Sequence, residues 1–143
     1  MAAVRTTIIR NTNQETVIKY EGGASDTAAT IDISTLAASS QVRNSDAPTV
    51  NIVKFMCAGL LSAGVTVLRN GVYVIAAAPE NAPILDLTQN GISDTVQNTQ
   101  NIVITCTGAV STGYIVLRKI AGWSTKVETA TYGAYDNETV VGS

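Results

Sequence analysis

V-T-V-L-R-N-G-V-Y-V-I-A-A, residues 65–77, is the stretch that decides the fold. Two short runs rich in β-branched residues flank an Asn-Gly pair with nothing between them. Asn-Gly accepts the positive φ of both central positions of a type I′ turn, whose twist matches that of antiparallel strands. A slip of one residue would exchange every inward side chain for an outward one, so the turn also sets the faces. Asn70 and Gly71 are therefore expected at the turn, and Val65, Val67 and Tyr73 in the core.

Working outward, Pro79 and Pro83 close the second strand, and I-L-D-L at 84–87 adds a short one. Toward the N-terminus, residues 4–10 and 15–20 read as strands joined by N-T-N-Q. Thr16, Ile18 and Tyr20 fall on one face of the second, with Val17 and Lys19 on the other. T-A-A-T-I-D-I is a third short strand. Residues 34–40 can begin a helical turn capped by Ser34 but lack the length of a stable helix, and 37–48 read as a surface loop.

The chain also echoes itself. N-I-V-K-F-M-C, from Asn51, leads through small residues to V-T-V-L-R, and N-I-V-I-T-C, from Asn101, leads to Y-I-V-L-R. The asparagines are offset by 50 positions and Cys57 and Cys106 by 49. One copy thus carries an extra residue between Val53 and Cys57, which a β-bulge would absorb. The echo places Ile102, Ile104 and Cys106 in the core, in a strand equivalent to the one at Asn51 but in the opposing sheet. Trp123 closes one end.

Many short strands with alternating faces must bury their apolar sides against something, and two antiparallel sheets face to face do so economically. The expectation is an all-β antiparallel β-sandwich, possible as a jelly roll, with a small barrel as the alternative. It comprises one domain over residues 1–128 with a short N-terminal arm, and a polar tail over 129–143. At 143 residues the chain is long enough to bury a core without staples.

The chemistry carried by the residues is sparse. There is no histidine, which removes Ser-His-Asp and Cys-His arrangements and histidine metal sites. Two cysteines cannot make a four-cysteine zinc site and read as buried thiols. The carboxylates Asp26, Asp32, Asp86, Asp94 and Asp136 form no calcium-loop pattern. Asp32 and Asp86 alternate with apolar residues as solvent-facing strand positions. No catalytic, metal or cofactor-binding residue is assigned, and no cofactor is expected. With nine scattered cations, eleven anions and a net charge of -2, nucleic acid is not an expected partner. No run reads as a secretion signal or a membrane span, which points to folding in a cytoplasm. Asn137-Glu-Thr matches a glycosylation sequon and, without a secretion signal, is read as accidental.

Only 14% of residues are charged while 45% are hydrophobic, so strand faces and edges are left for neighbours. The arm at Val4 and Arg5 and the tail tyrosines Tyr132 and Tyr135 are the candidate interface residues. A carbohydrate- or receptor-binding module, using aromatics such as Trp123 or Tyr135 beside polar groups, is the principal alternative, and an enzyme ranks third.

Three runs carry a resemblance: V-R-T-T-I-I-R; V-N-I-V-K-F followed by V-T-V-L-R-N-G-V; and N-I-V-I-T-C-T-G with G-Y-I-V-L-R-K-I-A-G-W. Across much of residues 4–123 the chain resembles small β-rich virion structural proteins of tailed bacteriophages, especially T4-like marine myoviruses. That resemblance implies a structural component of a phage particle, folded in the host cytoplasm and located in the virion. Capsid decoration or another head-associated role leads, with tail, neck or baseplate behind it. The partners it implies are further copies of the chain and other virion proteins such as a major capsid protein.

Overall fold

A computed structural model describes residues 3–23, 26–39, 41–43, 48–80, 83–87 and 98–125. The strands are β1 (Arg5–Asn11), β2 (Glu15–Gly22), β3 (Ala29–Ile31), β4 (Gln41–Arg43), β5 (Thr49–Gly59), β6 (Gly64–Arg69), β7 (Val72–Ala77), β8 (Ile84–Asp86), β9 (Ile102–Thr107), β10 (Ser111–Ala121) and β11 (Trp123–Thr125). One sheet has the order β1-β2-β10-β5-β8 and a second β3-β9-β6-β7, while β11 and β4 form a two-stranded ribbon. Every named strand pair is antiparallel.

Four antiparallel pairs generate this order: β2 with β10, β3 with β9, β5 with β8, and β6 with β7. Successive pairs alternate between the sheets, and rolling them up sets β10 beside β5 and β9 beside β6. That is the connectivity of a jelly roll, in which two sheets share one core. Inward residues of both sheets meet there, among them Ile18, Phe55 and Ile115 from the first and Val67, Ile75 and Ile104 from the second. Tyr20 stacks on Phe55 with ring centroids 5.8 Å apart. The Ser111 hydroxyl donates to the Ala58 carbonyl, leaving its oxygen to accept from the Tyr20 hydroxyl at 3.0 Å. The core's buried phenol is thereby satisfied.

The echo is realised as crossed halves. β5 and β6 derive from one copy, β9 and β10 from the other; β5 pairs with β10 and β6 with β9. The extra residue is Val53: Val116 lies opposite Lys54 and Leu117 opposite Ile52, so the register with β10 skips Val53, whose carbonyl accepts from the Leu87 amide on the other side. The bulge lets Ile52 and Phe55 both face inward, as Ile102 and Ile104 do in the unbulged β9. Cys57 and Cys106 are both buried and unbridged.

Asn70 (φ 53°) and Gly71 (φ 73°) occupy the turn with the positive φ values expected. Val65, Val67, Ile102, Ile104 and Cys106 are core residues, and Trp123 is partly buried against the core margin. Tyr73 is a correction. A two-residue turn sets Arg69 opposite Val72 and Leu68 opposite Tyr73, so Tyr73 shares the outer face of Leu68 and is 69% exposed. A bulge at Val74 then returns Ile75 to the inside, opposite Val67.

Other local expectations also change. Asp32, not Ser34, caps a short 3-10 turn (Ile33–Thr35), accepting from the Ser34 amide. Asp32 is therefore a cap rather than a strand position. The stretch read as a loop over 37–48 contains β4, held by Gln41, whose side chain accepts from the Ala38 amide and donates to the Asn13 carbonyl. The proposed tail, 129–143, lies outside the described residues.

Candidate functional site

The two ends of the jelly roll are built differently, and the contrast locates the surface available for docking. At one end each half of the echo finishes its second strand with an inward cation. In β6 the inward alternation Val65, Val67 ends at Arg69; in β10 Ile115, Leu117 ends at Lys119. The two V-L-R phrases thus sit in opposite phase, and Arg118 points outward.

Arg69 is 1% exposed. Its guanidinium donates to the carbonyls of Val50 (2.6 Å), Asn98 (2.9 Å) and Gln100 (2.8 and 3.0 Å), tying β5 to the segment that enters β9. The Lys119 ammonium donates to Asn11 Oδ1 (2.8 Å), the Thr12 carbonyl (2.8 Å) and Gln41 Oε1 (2.6 Å). It also lies 5.1 Å from the centre of the Trp123 ring, a cation–π contact that favours the charged form. Burial nonetheless lowers its pKa to about 8. Neutral oxygens and an aromatic face receive this cation, and no described carboxylate pairs with it. Trp123 in turn donates from its indole to the Thr49 carbonyl (3.2 Å). Polar groups at this end are spent on one another.

The opposite end exposes apolar loop side chains beside the Arg5–Glu21 ion pair. The β5–β6 and β9–β10 connections meet there, with the Leu60 amide donating to the Val110 carbonyl (3.0 Å). Gly108 (φ 79°) permits this closeness, since a Cβ there would stand 1.8 Å from the Ser62 carbonyl oxygen. The two loops hold each other's backbones, which leaves their apolar side chains outside: Leu60, Leu61 and Val110 are exposed, Leu61 at 78%. Nearby, Asp26 accepts from the Gly23 amide (2.8 Å) and closes its own turn.

The second open feature is β1. It pairs with β2 along one edge, and no described strand pairs with the other. Ile8 lies opposite Ile18, on the face that should be inward. Ile18 is covered by the second sheet, whereas Ile8 is 46% exposed because β1 overhangs that sheet. A bulge at Ile9 exposes a second isoleucine beside it.

Of the residues singled out in the sequence, Arg5 is exposed and ion-paired with Glu21, which also lies 3.7 Å from Lys19. Val4 corrects the expectation of a free arm. It is buried, its amide donates to the Thr27 carbonyl, and it closes the margin of the core beneath Gly22. Tyr132 and Tyr135, with Asp94, Asp136 and Asn137, lie outside the described residues. The loop leucines were missed by sequence reasoning. Their signal was present, because two apolar residues enclosed by Gly59, Ser62 and Gly64 belong to a tight connection and not to a strand.

Among the described residues no three His, Cys, Asp or Glu side chains converge as metal ligands. Burial raises both thiols above their usual pKa, so they stay protonated and inert. Hydrogen bonds from Ser34 lower the pKa of Asp32 and mark it as a cap. What the arrangement offers is an apolar contact surface. No family model, curated protein or solved structure matches the chain.

Proposed function

We propose that the chain is a structural subunit of a bacteriophage particle, acting as a capsid-decoration or other head-associated protein on a repeated lattice. The observation that carries this reading is the polarity of the jelly roll: one end consumes its hydrogen-bonding groups internally, and the other projects Leu60, Leu61 and Val110 into solvent. Exposed leucines on a rigid loop pair gain free energy when covered, about 25 cal/mol per Å² of apolar surface. A single such contact is small, but many copies on one lattice act together through avidity. The partners are neighbouring copies and a shell protein such as a major capsid protein. The jelly roll recurs among viral capsid and lectin domains, which is compatible with the role without establishing it.

The carbohydrate-binding alternative is less well supported. Tyr114 faces outward from the first sheet and Tyr73 from the second, so these two aromatics do not flank a common groove. Trp123 is engaged by Lys119 and Thr49.

Labelling virions with an antibody against the chain and imaging them by electron microscopy tests the proposal. Label spread over the head is expected. A ring at the neck or tail transfers the role to those structures, and unlabelled particles overturn the virion reading.

A further inference from the structure

The outer face of the first sheet carries a socket. One row of side chains crosses all five strands there, Arg10, Val17, Val116, Lys54 and Asp86, each opposite the next. Val17 and Val116 floor a depression of about 560 Å³. The strands that bear Val17 and Lys54 lie two spacings apart, about 10 Å. The rim carries Arg10, Lys54 and Arg118 against Glu15 and Asp86, a surplus of one cation. Arg118 lies 3.7 Å from Glu15, and Lys54 stands opposite Asp86. Arg10 is exposed and forms no ion pair among the described residues, so the surplus is its own.

The loop end carries the matching knob. Leu60 and Leu61 are exposed there, and Glu80 accepts from the Ser62 amide (3.3 Å), which holds a carboxylate beside them. Nearby, Arg5 and Lys19 are balanced by Glu21 and Asp26. Glu80 forms no ion pair among the described residues and is the surplus charge of this end. Within one chain the knob cannot reach the socket. The Leu60 amide is bound to the Val110 carbonyl, and Val116 lies six residues farther on, about 20 Å along the strand. We infer that the Leu60–Leu61 loop of one copy seats in the Val17–Val116 depression of the next, with Glu80 against Arg10.

This contact rests on the structural-subunit reading and assigns the loop end of that reading to a neighbouring copy. A second copy supplies both halves of the match: two apolar side chains for an apolar floor, and one unanswered carboxylate for one unanswered cation. Knob against knob, or socket against socket, brings like surplus charges together, which complementary interfaces avoid. The two surfaces differ, so the contact is heterologous. Such contacts propagate into rings or arrays, not closed dimers.

The test uses full-length protein in sedimentation equilibrium at low salt, with circular dichroism to check that each variant folds. Wild type is expected to associate beyond a dimer. Leu61→Ser removes the knob and Arg10→Glu reverses the socket, and each is expected to weaken association by about tenfold or more. Arg10→Glu combined with Glu80→Arg in one chain is expected to restore it. An equimolar mixture of the two single variants separates this contact from any symmetric one. The Leu61→Ser copy keeps a native socket and the Arg10→Glu copy a native knob, so one native contact forms and growth stops at a one-to-one complex. A wild type that stays monomeric or strictly dimeric, association indifferent to either substitution, or a mixture no more associated than its components each overturns the inference. Label on virions alongside a monomeric pure chain sinks this contact alone; a knob-dependent array absent from virions sinks the particle reading alone.

Discussion

Replacing Lys119 with methionine probes the polar end of the sandwich through pH. Burial sets the folded pKa at about 8, below the usual 10.5. Between these values the folded chain has released a proton that the unfolded chain retains. Unfolding then takes up a proton, and native stability rises with pH across the window. Below about pH 8 both states carry the charge, and the full cost of burying it is present. One group contributes a slope of at most about 1.4 kcal/mol per pH unit, and residual solvent screening keeps the observed slope below that limit.

Two of the three acceptors keep a donor after the substitution. Asn11 Oδ1 retains the Thr16 hydroxyl and Gln41 Oε1 the Ala38 amide, so the Thr12 carbonyl bears the loss. One orphaned acceptor costs about 1–3 kcal/mol, and removal of a desolvated charge offsets part of it. A net loss of about 1 kcal/mol at pH 7 follows. Urea unfolding of both proteins, followed by circular dichroism at pH 7, 8, 9 and 10, isolates the lysine, because contributions from tyrosines cancel in the difference. The advantage of wild type over the variant should begin to widen between pH 7 and 8 and widen more steeply from pH 8 to 10. A difference that stays flat or narrows in the upper interval refutes the assignment of a cation held against its burial.

Gly113→Ala should destabilise the fold by roughly 3 kcal/mol or more, because its Cβ would meet the Met56 carbonyl oxygen at 2.0 Å; Gly23→Ala, with its nearest atom at 3.8 Å, should leave the melting temperature unchanged. Cys57 and Cys106 should resist a thiol reagent in native protein and react at the rate of unfolding, so fast labelling of either contradicts their burial. Tyr73→Ser and Leu61→Ser should each change stability by less than about 0.5 kcal/mol. A fall of several degrees in melting temperature on either substitution would show that the side chain is packed.

Elements written in local chemistry were legible in the sequence. Asn70-Gly71 demanded its turn, the face of β2 followed from alternation, and the 49-versus-50 offset called for an extra residue between Val53 and Cys57, which the structure places at Val53 itself. Tyr73 was misplaced although the same hairpin held the answer: across a two-residue turn, position 68 meets 73, so Tyr73 cannot share a face with Val67. β4 and β11 were missed for a different reason. Q-V-R and W-S-T carry no periodicity of their own, and their pairing depends on Lys119 and Gln41 meeting across 78 residues. The two cations at the closed end were likewise illegible as a pair, since V-L-R reads identically in both halves while its phase differs. Of the docking surface, β1 was legible as a strand over 4–10, but the exposure of Ile8 depends on how far the other sheet extends.

The crossed halves have a consequence for how the chain acquires its shape. β10, the last long strand among the described residues, lies in the middle of its sheet, between β2 and β5. A growing polypeptide must wait until residues 111–121 have left the ribosome before this slot fills, and until then β2 and β5 each carry a raw margin. Contacts so distant along the chain make for slow folding and a vulnerable interval. Release that stops short of residue 121 therefore yields two sticky fragments of sheet, not a smaller version of the domain.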